Sequence, residues 1–404
     1  MITGVGLVTS LGCSKGIFWN AIRAGLNGIS KVEGLDTLPY GKYFGGQIKY
    51  PISWNGILSA HEEKLYGRAS QFAIFAANEA LLESGILSVP YFDSLRSRIG
   101  VIVGTTFGEA QILERINGNL LQNKTLEGRS CLKRELRQYS PNAISVNLAK
   151  KFGFCGPVFV VPTACAAGNY AIGMGATLIR HDKADVVICG GADSFSRVAF
   201  AGFSRLGVMG DEKCQPFDRY RKGMIVGEGA GMVVLEDRTL ALKRTMRSCV
   251  EVLGIGLSCD AQHMTTPTVD GMTMAMERAI ESGEISIRDV DYICAHGTGT
   301  VMNDKMESAA IRKLFYEHGR SVPVSSVKST LGHTMGAASA IEAIACAIAI
   351  EEEEIPPTAN FETPDPECNI DCVPNKARSK CLKVVLNNSF AFGGNNSCLV
   401  LGKV

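Results

Sequence analysis

The chain has 404 residues, with 41 Lys and Arg against 40 Asp and Glu, so its formal net charge is +1. This balance removes the electrostatic drive for binding nucleic acid or an anionic membrane surface. A composition of 46% hydrophobic and 20% charged residues excludes a disordered chain and predicts a globular protein with a large core.

The predicted elements of the first half begin with a glycine motif in a β-rich run, Gly4–Leu7 (GVGL). Apolar residues at helical spacing predict a helix over Phe72–Gly85, which ends at a glycine. An apolar strand over Ile99–Thr106 follows and ends in a Gly-Thr turn. The next stretch, about 107–157, is polar and basic and predicts a cap inserted into the fold.

The second half repeats these elements in the same order. Gly254–Leu257 (GIGL) corresponds to the first motif, Met272–Gly283 to the first helix and Tyr292–Thr300 to the strand. The ESG ending of the helix moves from position 83 to 281 and a Val-Val pair from 186 to 384, the same displacement of 198 positions. Two equal offsets in the same order predict an internal duplication.

Each half also contains a helix rich in Ala and Gly, which predicts close packing and burial. These helices cover Ala166–Arg180 and Met335–Ile350, and strands over Asp185–Gly191 and Leu382–Ser389 follow them. Alternating strands and helices favour mostly parallel sheets with helices on both faces. The sequence therefore predicts an α/β fold of five layers, α/β/α/β/α, made of two related halves.

The two halves are assigned to residues 1–245, which include the cap, and 246–404. Ligands of open α/β sheets bind at the carboxyl ends of the strands. We therefore expect the Gly-Thr turns and the entrances of the two small-residue helices to converge on one site.

Cys165 is the predicted nucleophile, because it follows an apolar strand and a sharp turn at the start of the first small-residue helix. The dipole and free N–H groups of a helix N-terminus stabilise a thiolate, so we expect a lowered pKa for Cys165. The fourteen cysteines are scattered without a CxxC pair, which predicts reduced core residues and no metal site.

Two histidines lie in Gly/Thr loops of the second half. His296 opens the stretch HGTGT, and His333 lies in KSTLGHTMG at the entrance of the second small-residue helix. The duplication makes His333 the expected counterpart of Cys165. Convergence of both loops on the site of Cys165 favours a catalytic role for the two histidines over a structural one.

Six motifs resemble those of the β-ketoacyl-acyl carrier protein synthases, the decarboxylating condensing enzymes of the thiolase superfamily. They occur in order along nearly the whole chain: TACAAG, PFDRYRKGMIVGEGAG, HMTTPTVDG, HGTGT, KSTLGHTMGAASAIEA and NSFAFGGNN. The resemblance implies a duplicated thiolase-like fold and the Cys-His-His set of the elongating type, here Cys165, His296 and His333. A thiolase is disfavoured, because the loop Ser389–Asn396 lacks a second cysteine.

The resemblance also implies an acyltransferase that catalyses a decarboxylative Claisen condensation. An acyl group on the phosphopantetheine arm of an acyl carrier protein would pass to Cys165 and condense with malonyl-acyl carrier protein. Because the arm belongs to the carrier protein, no cofactor is expected.

Supporting roles follow from the same resemblance. Phe392, with Gly393 and Gly394, would complete the oxyanion hole and gate the site. Lys328 would orient and charge the region of His333.

Further positions match residues that support the site or contact substrate. Asp304 and Glu307 look like supporting residues on the helix after HGTGT, and Thr298 and Thr300 match positions that bind pantetheine. Phe107 stands where relatives have a smaller aliphatic residue, so a shortened or reshaped acyl pocket is expected, with a preference for short or unusual acyl chains.

An acidic carrier protein, as in this family, requires a basic docking surface. Basic residues cluster in the predicted cap, and the expected docking residues are Arg129, Lys133, Arg134 and Arg137. The resemblance further implies a homodimer, with a heterodimer of related subunits left open. The sequence itself predicts a cytoplasmic protein without a membrane span, because the first residues carry no targeting pattern and the most apolar run, Met335–Ile350, is too short to cross a bilayer.

Two alternatives accompany this interpretation. One is a specialised ketosynthase subunit of a polyketide, polyene or unusual-lipid pathway in place of fatty acid synthesis. The other is a non-catalytic partner that resembles a chain-length factor. Such partners have lost the nucleophilic cysteine, so the presence of Cys165 disfavours the second alternative.

Overall fold

The computed structural model describes residues 1–54, 56–122, 128–244, 250–316, 319 and 321–404, and at 128–131 and 134 it describes only the backbone. Its strands are β1 (Ile2–Thr9), β2 (Ser30–Lys31), β3 (Phe44–Gly45), β4 (Ile99–Gly104), β5 (Val158–Val161), β6 (Val186–Asp193), β7 (Gly229–Glu236), β8 (Val250–Cys259), β9 (Tyr292–Cys294), β10 (Val324–Ser325), β11 (Glu354–Ile355), β12 (Arg378–Ser379), β13 (Val384–Phe390) and β14 (Asn395–Lys403). Its α-helices are α1 (Lys15–Arg23), α2 (Ala60–Leu65), α3 (Arg68–Ser84), α4 (Phe92–Leu95), α5 (Ala110–Leu121), α6 (Gly128–Tyr139), α7 (Asn142–Phe152), α8 (Ala167–Arg180), α9 (Arg197–Arg205), α10 (Arg238–Lys243), α11 (Val269–Ser282), α12 (Val301–Phe315), α13 (Lys328–Leu331) and α14 (Ala338–Glu352).

Ten of the described strands form a mixed sheet in the order β10-β9-β13-β14-β8-β1-β7-β6-β4-β5. The order contains one five-strand pattern twice, and the two copies meet where Ile2 of β1 faces Val250 of β8. In the first copy β4 runs parallel to β5 and β6, whereas β7 runs antiparallel to β6 and β1. In the second copy β9 and β14 make the equivalent parallel and antiparallel pairings.

The expectation of mostly parallel sheets is wrong, because half of the pairings within each copy are antiparallel. The short connection between β13 and β14, residues 391–394, is the physical reason in the second half. A parallel neighbour needs a crossover of a dozen residues or more, whereas a turn of this length joins antiparallel strands.

Helices on both sides of the strands give the five layers of a thiolase-like fold. The outer layer of the first half contains α3 and α7, and that of the second half contains α11 and α12. Between the halves, α8 and α14 pack on each other and on strands of both copies. Residues Ala338–Ile350 of α14 are all buried, as the small-residue pattern predicted. Within the described residues, no helix has the length and apolar character that crossing a membrane requires.

The predicted cap is shorter than expected, because its last helix belongs to the core. Helix α7 packs against α3 and β5. Its side chains Ile144 and Leu148 are fully buried in the cluster beneath α3. Only α5 and α6 fit the expectation of a layer outside the core.

The repeated glycine motifs allow a strand to lie directly beneath a helix backbone. A Cβ atom at Gly6 of β1 would overlap the carbonyl oxygen of Ala76 in α3. In the second half, a Cβ atom at Gly256 of β8 would overlap the carbonyl oxygen of Ala275 in α11. The two motifs therefore serve the same packing contact, which supports the duplication.

Gly6→Ala should lower the free energy of unfolding by at least about 1–3 kcal/mol, because the added methyl group meets backbone that cannot rotate away. Urea unfolding followed by circular dichroism measures the change. Gly118→Ala is the matched control, since Gly118 lies in α5 with open space around it. Ala in that helix should be neutral or stabilise by up to about 1 kcal/mol. Equal midpoints for the two variants would contradict the packing argument.

Candidate active site

Cys165, His296 and His333 meet at one cavity. The Cys165 sulfur and one ring nitrogen of each histidine lie within 4.8 Å of one another. The two imidazole rings are nearly perpendicular, with centroids 5.4 Å apart. All three residues are buried and line a cavity of about 370 Å³. The structure thus brings the three predicted residues together.

A strained turn precedes each of the two central helices. Ala164 has φ of 51° and Met335 has φ of 55°, both in the left-handed region that non-glycine residues rarely adopt. Each begins a short 3-10 turn, and α8 or α14 follows. This alignment makes Gly336 the counterpart of Cys165. The expectation that His333 is that counterpart is wrong, since His333 precedes the strained residue by two positions.

Hydrogen bonds determine which ring nitrogens carry protons. The Met335 N–H donates to Nδ1 of His333 at 3.1 Å, so the neutral ring has its proton on Nε2. The Lys328 ammonium lies 3.4 Å from Nδ1 of His296 and can only donate, so this ring also has its proton on Nε2. Burial, followed by the Lys328 charge, holds the pKa of both histidines well below the usual range. Both rings are therefore neutral N–H donors at neutral pH.

Lys328 bonds to His296 and not to the His333 ring, so the expectation that it orients the His333 region is corrected. The expected effect of its charge on that region is present, because Lys328 lowers the pKa of His333. Besides its approach to the ring, its ammonium donates to the His296 carbonyl oxygen at 2.7 Å. It also forms a buried ion pair with Glu342 of α14. Burial raises the pKa of Glu342 to about 7, and Lys328 opposes that rise. Lys328 therefore holds the His296 loop against the central helix.

The Cys165 thiol does not have the expected lowered pKa. Burial raises its pKa to about 12, and the positive charge of Lys328 opposes the rise without cancelling it. The helix N-terminus acts on a sulfur that has lost its hydration, and desolvation favours the neutral thiol. The resting site therefore contains a neutral thiol beside two neutral imidazoles.

Two buried carboxylates hold the HGTGT loop. Glu307 accepts the N–H groups of His296 and Gly297, both at 2.8 Å. Asp304 accepts the N–H of Gly299 at 3.2 Å and lies 3.6 Å from the Arg221 guanidinium. Both carboxylates lie on α12, which follows the loop, so they fix its backbone without reaching the cavity.

The cavity wall includes several of the predicted substrate-binding residues. Thr298 and Thr300 line it, and their hydroxyl oxygens lie 2.9 Å apart. Phe392 and Gly394 line it from the turn between β13 and β14. Gly393 and Gly394 have φ of 86° and 76°, so this turn requires glycine at both positions.

Phe107 does not line this cavity. Its ring packs edge-on against Phe203, with centroids 6.1 Å apart, and Phe203 does line the cavity. Phe203 also contacts Phe392 at 6.1 Å. Phe107 therefore lies behind the cavity wall, in an aromatic cluster with Phe203 and Phe392, and Phe392 belongs to the turn between β13 and β14.

The expected docking residues are only partly described. Lys133 and Arg137 are exposed on α6. The side chains of Arg129 and Arg134 lie outside the described residues, although their backbone belongs to the same helix.

Two serines that the motifs did not single out position the nucleophile. The hydroxyl of Ser339 donates to the Cys165 carbonyl oxygen at 3.1 Å, and that of Ser389 does so at 3.0 Å. Ser339 lies on α14 and Ser389 on β13, so both contacts join the two halves. The sequence signal for them is their position inside two of the six motifs, Ser339 in KSTLGHTMGAASAIEA and Ser389 in NSFAFGGNN.

Cys165, His296 and His333 also offer the sulfur and nitrogen ligands that Zn²⁺ prefers. The hydrogen bonds oppose that role, because Nδ1 of His333 already accepts the Met335 N–H. Its Nε2 then carries the proton and has no lone pair for a metal. The group is better suited to donate hydrogen bonds to a substrate oxygen.

Comparisons with known proteins agree along the whole chain. A family model described as "Beta-ketoacyl synthase, N-terminal domain" matches residues 1–241, and "Beta-ketoacyl synthase, C-terminal domain" matches residues 249–362. The chain is 37% identical to the tetracenomycin polyketide synthase ketoacyl synthase alpha subunit of Streptomyces glaucescens, covering 100% of this chain and 96% of that protein. It is 35% identical to 3-oxoacyl-[acyl-carrier-protein] synthase 2 of Synechocystis sp., covering 100% and 97%.

A solved structure has the same fold. "The ishigamide ketosynthase/chain length factor" superposes with a TM-score of 0.93 at 38% identity and covers 100% of this chain and 98% of that chain.

The raised pKa of Cys165 predicts how its alkylation depends on pH. The rate with iodoacetamide should rise about tenfold per pH unit between pH 6 and 9, because the reactive thiolate fraction grows with pH below the pKa. Lys328→Met should slow alkylation at fixed pH, since removing the positive charge raises the pKa further. Peptide mass spectrometry gives the rate at Cys165, with Cys165→Ser as the control for peptide assignment. A rate that levels off below pH 7 would show a standing thiolate.

Proposed function

The chain belongs to the β-ketoacyl synthase family, and on that premise we propose that Cys165 carries the acyl chain while His296 and His333 promote decarboxylation of the extender unit. It is a ketosynthase, an acyltransferase of fatty acid or polyketide chain elongation. One thiol and two neutral N–H donors around a single cavity are the observation that carries the proposed roles.

In the first step the Cys165 sulfur attacks the thioester carbonyl of the incoming acyl group. The bond to the pantetheine sulfur breaks, and that sulfur leaves as a thiol after taking up the proton of Cys165. The N–H groups of Cys165 and Phe392 stabilise the oxyanion of the tetrahedral intermediate. Cys165 lies in the first turn before α8, where N–H groups have no preceding carbonyl partner in the helix.

In the second step the malonyl group loses carbon dioxide, and its thioester oxygen becomes an enolate oxygen. The Nε2–H groups of His296 and His333 donate to that oxygen as charge develops on it. The carbanion then attacks the acyl carbonyl on Cys165, and the Cys165 sulfur leaves as a thiolate. A proton from water converts this thiolate to the neutral thiol and replaces the one that the pantetheine sulfur took in the first step. Neutral donors suit this step, since they need not lose a proton to act.

The proposed partner is an acyl carrier protein, as the name of the Synechocystis relative indicates for that enzyme. Its phosphopantetheine arm would enter beside Thr298 and Thr300, so the enzyme needs no cofactor of its own. The proposed docking surface is helix α6, whose sequence contains the four residues Arg129, Lys133, Arg134 and Arg137. A cytoplasmic location completes this proposal, supported by the free cysteines of the described residues.

Strand β5 supports a dimer, because it is the last strand of the ten-stranded sheet, and the outer edge of such a strand can pair with another chain. Phe159 on this strand is 42% exposed, although it is apolar. A homodimer would cover this edge. The solved ketosynthase and chain length factor supports a heterodimer as the second arrangement. A role as the non-catalytic subunit is disfavoured by the intact set of Cys165 and its two histidines.

A specialised pathway is the second candidate for the biological role. The cluster of Phe107, Phe203 and Phe392 favours it, since bulky rings behind the cavity leave less room for a long saturated chain. We also place the boundary between the two halves at residue 245, so that they cover 1–245 and 246–404. The family models, which match on either side of this position, support that boundary.

Two variants test the division of roles. Cys165→Ala should give no acyl adduct with a panel of acyl carrier proteins, whereas the unmodified enzyme gains the acyl mass at Cys165. His333→Ala should still accept the acyl group but decarboxylate malonyl carrier protein on the order of 100-fold more slowly, because one enolate donor is lost. Intact-mass spectrometry and carbon dioxide release give the two rates. An adduct that persists in Cys165→Ala, or unchanged decarboxylation in His333→Ala, would refute these roles.

Charge reversal tests the docking surface. The double variant Lys133→Glu, Arg137→Glu should raise the apparent KM for carrier-borne substrate roughly tenfold, because the acidic carrier is no longer attracted. The KM for a small acyl thioester should stay the same. Lys376→Glu is the matched control, as Lys376 is equally exposed but lies in the loop after β11. Equal effects on both substrates would count against docking at α6.

A further inference from the structure

Asp193 is a buried carboxylate at the end of β6 to which neither the motifs nor the proposed reaction gives a role. It is fully buried and accepts four hydrogen bonds. One oxygen accepts the Thr105 hydroxyl at 2.8 Å and the Phe107 N–H at 3.0 Å. The other accepts the N–H groups of Thr106 and Gly336, both at 2.7 Å. Each oxygen therefore serves two donors.

These donors belong to two loops from different halves of the chain. The first loop follows β4 and contains Phe107, whose ring lies behind the cavity wall. The second contains His333 and leads into α14. Its Met335 N–H fixes the His333 ring, and the next N–H along the chain, that of Gly336, is the one that Asp193 accepts. Two consecutive N–H groups thus connect the carboxylate to the imidazole.

The two loops touch through backbone atoms with no side chain between them. A Cβ atom at Gly336 would lie 2.6 Å from the Cα atom of Thr105, and one at Gly191 of β6 would overlap the Gly336 carbonyl oxygen. At such separations the loop N–H groups cannot reach water, so a buried acceptor must satisfy them. The Asp193 carboxylate does so for both loops.

The duplication adds a second reason for a carboxylate here. Gly336 is the counterpart of Cys165, so the two halves place equivalent N–H groups at the starts of their central helices. In the second half this group is the Gly336 N–H, and it donates to the Asp193 carboxylate. In the first half the equivalent N–H is left to the oxyanion of the substrate. The carboxylate therefore fills the anion site at Gly336 permanently, whereas the related site at Cys165 stays open for substrate.

We propose that Asp193 is a positioning residue that holds the loop containing His333 against the loop containing Phe107. It thereby sets the direction in which His333 donates to the enolate oxygen. The proposal rests on the function proposed above. Its effect falls on the decarboxylation step, because its contacts lead to His333. Acylation of Cys165 depends on the turn at Ala164 and Cys165, from which Asp193 accepts no hydrogen bond among the described residues. The only effect of Asp193 on the thiol is electrostatic, because in addition to burial its negative charge helps to raise the pKa of Cys165.

Asp193→Asn is the test. The amide has the size of the carboxylate, but in either orientation its NH2 group faces two N–H or O–H donors where an oxygen accepted them. Decarboxylation of malonyl carrier protein should fall on the order of 100-fold through kcat, as expected for a displaced reacting group. Acyl transfer to Cys165 should be retained or rise slightly, because a neutral side chain at position 193 no longer raises the pKa of the thiol. The two rates are measured separately by carbon dioxide release and intact-mass spectrometry.

Glu109→Gln is the matched control. Glu109 is also fully buried and accepts two N–H groups, those of Ala69 at 3.2 Å and Ser70 at 2.7 Å, but it does not contact the His333 turn. Any loss from replacing a buried carboxylate should appear equally in both half-reactions of this control. The proposal is overturned when Asp193→Asn leaves both rates unchanged or lowers both by the same factor.

A measurement without turnover separates this proposal from the proposed function. In protein with ¹⁵N-labelled histidine, the ring signals of His333, assigned with His333→Gln, should shift in Asp193→Asn and stay in place in Glu109→Gln. If the unmodified enzyme fails to decarboxylate malonyl carrier protein, the proposed function fails, and these signals still decide the role of Asp193. Unmoved signals overturn that role.

Thr105→Val is the second test of the proposal, for use if Asp193→Asn does not fold. It removes one donor to the carboxylate and the acceptor of the Gly108 N–H, and it leaves the carboxylate in place. Decarboxylation should fall several-fold with acylation retained, and unchanged decarboxylation would overturn the proposal.

Discussion

The geometry of the site depends on how closely the two central helices approach each other. A Cβ atom at Gly168 of α8 would lie 2.5 Å from the Ala340 nitrogen of α14, so the helices touch through their backbones. Side-chain bonds across the contact prevent sliding. The Ser339 hydroxyl accepts the Asn169 N–H at 3.0 Å and donates to the Cys165 carbonyl, and Asn169 and Asn387 exchange hydrogen bonds. Because every member is buried, a shift of either helix would leave polar groups without partners. The thiol and the histidines therefore keep their separation.

One buried cation governs the electrostatics of this contact. The Lys328 ammonium lies between the His296 loop and the Glu342 carboxylate. It lowers the pKa of both histidines and opposes the rise in the pKa of Cys165. Its effect on Cys165 is smaller than that of burial, so the charge adjusts the site without ionising the thiol. A buried pair of this kind specifies position more than it adds stability.

Local signals in the sequence account for what could be predicted. The central helices α8 and α14 start within a few residues of their predicted positions. Runs of Ala and Gly predict close packing from the sequence alone. The repeated GVGL and GIGL motifs likewise point to one packing contact used twice. Contacts between distant segments explain the failures. The pairing of β7 between β1 and β6 was not predicted, and the burial of Cys165 depends on elements from elsewhere in the chain. Nothing near Asp193 in the sequence marks it as an acceptor for the loop that contains His333. Local signals marked the three central residues as candidates, and the resemblance of the motifs, which already contains long-range information, supported grouping them in one site.

A neutral resting thiol is compatible with acyl transfer, and the thermodynamics of the exchange explain why. One thioester is consumed and another is formed. The pKa of the attacking sulfur and that of the leaving sulfur therefore contribute to the free energy of the exchange with opposite signs. The proton that Cys165 loses is the one the pantetheine sulfur gains, and the cavity holds no net charge before or after the step. A standing thiolate would need a permanent counterion in a space that also admits an apolar acyl chain, and burying that charge is costly. In the proposed reaction, net negative charge enters the cavity with the malonyl carboxylate and moves to the enolate oxygen, where two neutral N–H donors are already in place.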